Sequence, residues 1–272
     1  MSPGSVPGAI SEEVVPRRTS PPARSSDRTS AAPVAVFDLD HTLSRRDTFL
    51  AWLLGFLARH PERWPKSLPL PAAVLWHKAG QRDNHWLKRT FLRAIVGGLS
   101  PGNHPATGEV GHPHPPGTAA RGGSPPLGRW TETFVAGLLA RGLWPRGLDT
   151  IERHRAAGDR LVLVSASPDL YVEPLAAALG FELALCTRLA VGPDGRLTGE
   201  FDGENCYGPA KLLRLDAALG PPSPGARLTV YTDHHTDLDL LRRATHPVAV
   251  NPTPLLRRQA LEAGITIEDW RG

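Results

Sequence analysis

Cysteine is almost absent. The 272 residues hold two, Cys186 and Cys206, without CxxC spacing. That excludes a disulfide framework and a cysteine-based zinc site, and it fits a reducing compartment. Long apolar runs are missing as well. The most apolar stretch, residues 49–58 (FLAWLLGFLA), is about half the roughly 20 residues that a membrane-spanning helix requires. Residues 1–10 lack the basic-then-apolar order of a secretory signal, so a cytoplasmic location with no integral membrane segment is expected. The net charge of +4 comes from scattered arginines and no dense basic run. Nucleic-acid binders concentrate basic charge on one element, so that partner class is excluded.

Glycine and proline are plentiful, at 27 and 28, and unevenly placed. Residues 1–32 are rich in Pro, Ser and Arg and read as a disordered tail, because they bury too little apolar surface to offset their ordering entropy. Residues 100–128 form a second such stretch and read as a flexible insertion. Its histidines, His104, His112 and His114, match no metal-binding spacing.

The remaining chain alternates short apolar runs with helix-period stretches. Residues 34–37, 160–164, 183–186, 227–231 and 247–250 are predicted strands. Helices are expected over 170–179, 209–219, 237–244 and 254–263, with Gly180, Gly220 and Gly264 at C-terminal caps. This alternation predicts an α/β fold, a Rossmann-like parallel sheet with helices on both faces. Residues 49–141 hold helical patterns and no convincing strand, which predicts an all-helical insertion after the first strand. The expected division is therefore a core of residues 33–48 and 142–272, with a helical cap of residues 49–141.

In an open parallel sheet, ligands bind beyond the carboxyl ends of the strands. Three predicted strands run into polar residues there: VAVF into Asp38, Asp40 and Thr42, RLVLV into Ser165, and RLTVYT into Asp233 and Asp237. Such a cluster of carboxylates repels itself unless a cation intervenes, and hard oxygen ligands suit Mg²⁺. Lys211, early in a predicted helix, would add positive charge. Asp237 fits a turn or cap role equally well. For Asp38 and Asp40, two apart on an extended chain and so on one side, a purely structural role is the weaker reading. One carboxylate can attack phosphorus while the other protonates the leaving alcohol.

Together these motifs resemble the haloacid dehalogenase superfamily, in its phosphoserine-phosphatase-like branch with a helical cap inserted after the first strand. The DxDxT motif reads Asp38-Leu-Asp40-His-Thr42, the second motif centres on Ser165 and the third on Lys211. The fourth reads Asp233 to Asp237 with DxxxD spacing. The resemblance implies that Asp38 is the nucleophile and Asp40 the general acid/base, with Mg²⁺ held by Asp38, Asp233 and the backbone of Asp40. It further implies that Thr42, Ser165 and Lys211 bind phosphate and that Asp237 supports the metal shell or the lysine. An acid at Asp40 favours phosphate transfer over dehalogenation, which needs no proton donor.

A small soluble phosphorylated metabolite is the expected substrate. Asp47 falls where phosphoserine phosphatases carry a substrate-reading glutamate, and it would equally cap the helix that follows. Ala166-Ser167 and His234-His235-Thr236 depart from that branch, which weakens phosphoserine itself as the substrate. Trp52, Trp64, Trp76 and Trp86 are expected to pack the cap's own small core. The rival readings are a lipid-phosphate phosphatase or phosphotransferase in peripheral contact with a membrane, and a non-catalytic phosphate-binding scaffold.

Overall fold

The computed structural model describes residue 1 and residues 32–102, 126–220 and 226–271. The tail reading therefore lies almost entirely outside the described residues, as do His104, His112 and His114. Ala31–Gly272 forms one compact unit.

Six parallel strands make the main sheet, in the order β3-β2-β1-β6-β7-β8. They are β1 (Val34–Asp38), β2 (Arg160–Pro168), β3 (Leu183–Thr187), β6 (Leu228–Thr232), β7 (His246–Val250) and β8 (Thr266–Glu268). Helices α6 (Pro145–Ala156), α7 (Asp169–Ala178), α8 (Pro209–Leu219), α9 (Leu238–Arg243) and α10 (Pro254–Glu262) complete the α/β pattern. Burial on both faces explains why β1 reads as a continuous apolar run. Ala35 and Phe37 enter one hydrophobic cluster and Val36 the other, as the two-residue period of a strand requires.

Between β1 and α6 lie α1 (Thr48–Arg59), α2 (Trp64–Ser67), α3 (Leu70–Lys78), α4 (Asn84–Ile95) and α5 (Pro126–Gly137). No strand occurs among the described residues of this region. Helix α5 starts at Pro126, so the expected flexible stretch ends short of residue 128. The predicted separate cap core is not what forms. Trp52, Phe56, Leu92 and Trp130 share one continuous cluster with Phe37, Leu163 and Tyr171 of the sheet layer, because α1 and α5 lie against α7. Trp64 and Trp76 are exposed instead. Among the described residues, no helix is long and apolar enough to cross a membrane.

Two strands went unpredicted besides β8. Strands β4 (Leu189–Val191) and β5 (Leu197–Phe201) form an antiparallel hairpin. Arg89 of α4 reaches Glu200 of that hairpin at 2.9 Å, and the amide of Gly98 donates to the carbonyl of Leu197 at 2.7 Å. A brief Asp194-Gly195 turn between alternating residues was the available signal.

Candidate active site

Strand β1 ends at Asp38, and Leu39–Leu43 then makes one wide turn in which His41 takes φ 60°. The strand therefore stops at Asp38, while Asp40 keeps extended dihedrals of φ −70° and ψ 127°, and both carboxylates reach the same cavity. Asp38 is almost fully buried. Its Oδ1 accepts from Lys211 Nζ at 2.7 Å and its Oδ2 from the Thr42 hydroxyl at 3.0 Å.

Lys211 arrives from the first turn of α8. Gly208, at φ 56°, turns the chain into that helix, and Pro209 occupies a position needing no amide donor. A cation at a helix N-terminus opposes the helix dipole. Lys211 is held there by Asp38 and by Asp237, whose Oδ2 lies 2.6 Å away. Burial works against the ammonium, but the two carboxylates outweigh it and hold its pKa above the ordinary range.

Asp233 follows β6. Burial and the charge of Asp38 push its carboxyl up to about 8, and burial pushes Asp38 up to about 6 against the pull of Lys211. The single Thr42 hydroxyl faces both, at 3.0 and 3.3 Å, so one proton serves two carboxylates. Asp237 makes no side-chain cap for α9. Its Oδ2 takes Lys211 and Thr232, while its buried Oδ1 has no partner. Three crowded carboxylates, one lysine and an orphaned oxygen suit a hard divalent cation. Among the described residues no group of three or more His, Cys, Asp or Glu side chains is arranged to hold a metal ion, so any cation here would take part of its shell from backbone carbonyls and water.

Asp40 is held separately. The Thr48 amide and hydroxyl both donate to its Oδ1 at 2.6 Å, and the Ser167 hydroxyl donates to its Oδ2 at 2.7 Å. Tyr171 OH lies 3.0 Å from the Thr48 hydroxyl. The sequence assigned none of these three a place beside Asp40, and Ser167 stood out only as a departure from the family pattern. Ser165 is fully buried inside β2, which runs on to Pro168, so it does not end a strand as expected. Its Oγ accepts from the Ser167 amide at 3.1 Å, and Ala166 is the residue that reaches the cavity wall.

The cavity has a volume of about 470 Å³. Lys88 of α4 enters it, donating to the Ala166 carbonyl at 3.0 Å beside the ring of Phe49, and burial pulls its pKa below the ordinary value. Asp47 lines the cavity and also caps α1, accepting from the Leu50 amide at 2.7 Å. Of the two roles expected as alternatives, the helix cap is the one formed. His41 and His234 line the wall, His234 being tied to the Thr236 hydroxyl at 2.9 Å.

Comparison with known proteins agrees with this geometry. A Bordetella pertussis protein of unknown function superimposes with a TM-score of 0.68 at 26% identity, covering 88% of this chain and 99% of that one. Protein CicA of Caulobacter vibrioides is 30% identical over 209 residues, 76% of this chain and 81% of CicA. A histidinol-phosphatase of Neisseria meningitidis is 29% identical over 149 residues, 53% of this chain and 67% of that protein. Some matches are partial: the chain aligns with 46% of the length of a Streptomyces azureus relative. The pattern of the haloacid dehalogenase-like hydrolases matches residues 35–242, and the chain belongs to that family.

Proposed function

We propose that this chain is a magnesium-dependent phosphatase of the cytoplasm that hydrolyses phosphate monoesters through an aspartyl-phosphate on Asp38. The observation that carries the reading is Lys211, clamped between Asp38 and Asp237 at the carboxyl edge of the sheet and open to a cavity that Asp40 shares. A non-catalytic scaffold has no use for an acid beside the nucleophile. The phosphatase name of the Neisseria relative points the same way.

Asp38 would attack phosphorus, forming an O–P bond as the ester P–O bond breaks. Asp40 would give the leaving alkoxide its proton. Water then attacks the aspartyl-phosphate, Asp40 takes the water's proton, and phosphate leaves with Asp38 restored. Lys211 would neutralise phosphoryl oxygen as charge moves. Thr42 and Ser165 would bind further oxygens, Ser165 by releasing its bond with the Ser167 amide. Thr48 and Ser167 hold Asp40 at its post through both carboxylate oxygens. Mg²⁺, held by Asp38, Asp233 and the Asp40 carbonyl, would supply positive charge against the phosphoryl group. Helices α1, α3 and α4 would act as the specificity cap, since Leu50, Val74 and Lys88 wall the cavity opposite the acids.

A panel of phosphate esters, assayed with Mg²⁺ and with EDTA, tests the reading. Release of phosphate should require the metal, and Asp38→Asn should reduce it by at least about a thousandfold, the scale on which losing a nucleophile acts. Undiminished turnover by Asp38→Asn would overturn it.

A further inference from the structure

Helix α3 turns an apolar face to solvent. Leu68, Pro71, Ala72 and Leu75 recur at the i, i+3, i+4, i+7 spacing that ordinarily faces a core. The backbone is already helical at Leu68 and Pro69. Yet Leu68 is 77% and Leu75 67% exposed, while Leu70 and Ala73 take the buried side. Trp64 and Trp76, before and after the stripe, are 55% and 52% exposed. One exposed leucine needs no explanation, but four large apolar side chains bared within residues 64–76 do.

The surrounding charge is mostly positive. Residues 59–82 hold five Lys and Arg against one acid, Glu62, which His60 engages at 2.8 Å. Lys66 and Lys78 are exposed beside the stripe. The surface is also continuous with the catalytic cavity, because Val74, His77 and Lys78 of the same helix line its wall together with Leu87 and Phe91. A cavity of about 470 Å³ with this apolar wall far exceeds what a phosphoryl group fills.

Apolar and aromatic side chains with Lys and Arg around them are the composition of helices that lie in an anionic membrane interface. A second copy of this chain fits less well, since a two-fold contact would set the five cations against their own images. The geometry points to an amphiphilic phosphate monoester as the substrate, drawn from an anionic lipid surface on which the Leu68–Leu75 face docks. This rests on the phosphatase reading, and it replaces the soluble metabolite with a lipid phosphate whose chain lies along Leu50, Val74 and Phe91.

Vesicle flotation and kinetics on the full chain test it. Vesicles of phosphatidylcholine are compared with vesicles that also carry phosphatidylglycerol. Phosphate release is measured from 1-acyl-glycerol 3-phosphate in those vesicles, from glycerol 3-phosphate and from para-nitrophenyl phosphate. The chain should bind only the anionic vesicles and lose that binding in high salt. Its kcat/KM for the acylated ester should exceed that for glycerol 3-phosphate by at least about tenfold.

The double variant Leu68→Glu with Leu75→Glu should lose vesicle binding and that advantage while still hydrolysing para-nitrophenyl phosphate, because neither residue lines the cavity. The milder pair Leu68→Ala with Leu75→Ala should weaken both in proportion. Turnover of soluble esters without vesicle binding would overturn the inference and leave the phosphatase standing. A self-associated chain that the Glu pair dissociates, again without vesicle binding, would overturn it in favour of a protein interface. Failure to hydrolyse any ester with Mg²⁺ would overturn the phosphatase reading and the substrate class with it.

Discussion

Lys211 brings one positive charge into a space that Asp38, Asp233 and Asp237 all enter. Burial first, and the neighbouring acids after it, leave carboxyls that resist ionisation despite the pull of Lys211, Asp38 up to about 6 and Asp233 up to about 8 from an ordinary 3.8. Both keep protons in the folded chain at pH values where the unfolded chain has lost them. Their contribution to stability is therefore greatest below 3.8 and is lost as pH rises through the folded values. Mg²⁺ bound as proposed would compete with those protons, and its stabilising effect would grow over the same window. The melting-temperature difference between Mg²⁺ and EDTA should widen from about pH 5 to about pH 8, and Asp233→Asn should flatten it. A difference independent of pH would show that the metal does not replace these protons. The acids were legible in the sequence because they follow buried strands, and Lys211 because it opens a helix after a Gly-Pro turn; the structure brings all of them to one cavity. Thr48, Ser167 and Tyr171 were not, because Thr48 and Ser167 meet Asp40, and Tyr171 meets Thr48, only after α1 and α7 have packed beside the end of β2.

At the scale of elements, the sheet was readable and its margins were not. Strands β1, β2 and β6 are buried apolar runs, and β3 and β7 are apolar and buried towards their carboxyl ends, whereas β8 is three residues at an edge with none fully buried. The β4–β5 hairpin pairs a three-residue strand with a five-residue one, and it is fixed by what it meets rather than by its own pattern. Gly199 in β5 sits at φ 83°, and a Cβ there would lie 2.6 Å from Arg93 Cα and 2.7 Å from Arg93 N. Only glycine lets the hairpin lie this close to α4, the helix that carries Lys88 into the cavity. Gly199→Ala should therefore cost roughly 2–4 kcal/mol, from overpacking and backbone strain together. It should also raise KM more than it lowers kcat, since α4 moves while Asp38 and Lys211 stay. The control is Gly195→Ala in the hairpin turn, at φ 73° with open space around the added carbon. It carries the strain alone and should cost about 1 kcal/mol in urea denaturation. Equal losses in the two variants would show that the close approach to α4 is not what demands glycine.

At the scale of the whole molecule, the helices between β1 and α6 read in sequence as a lobe with its own core, and packing gives another result. Composition could not distinguish these cases, because an apolar helix face does not declare its partner. Trp52 shows what was hidden. It is fully buried in α1, its indole donates to the Thr131 hydroxyl of α5 at 3.2 Å, and its ring lies 5.5 Å from Tyr171 of α7. From α5, Trp130 donates back to the Trp52 carbonyl at 2.9 Å. Tyr171 also sits at the end of the chain of hydroxyls that reaches Asp40 through Thr48. One side chain thus joins the helical region, the sheet layer and the support of the acid. Trp52→Ala should cost about 3–5 kcal/mol, as large core truncations do. It should lower the midpoint of a single transition, with far-ultraviolet circular dichroism and tryptophan fluorescence coinciding. An independent lobe would instead melt first, giving two separated transitions and a sheet of unchanged midpoint. That outcome would restore the lobe with a core of its own and leave Asp40 supported by the sheet layer alone.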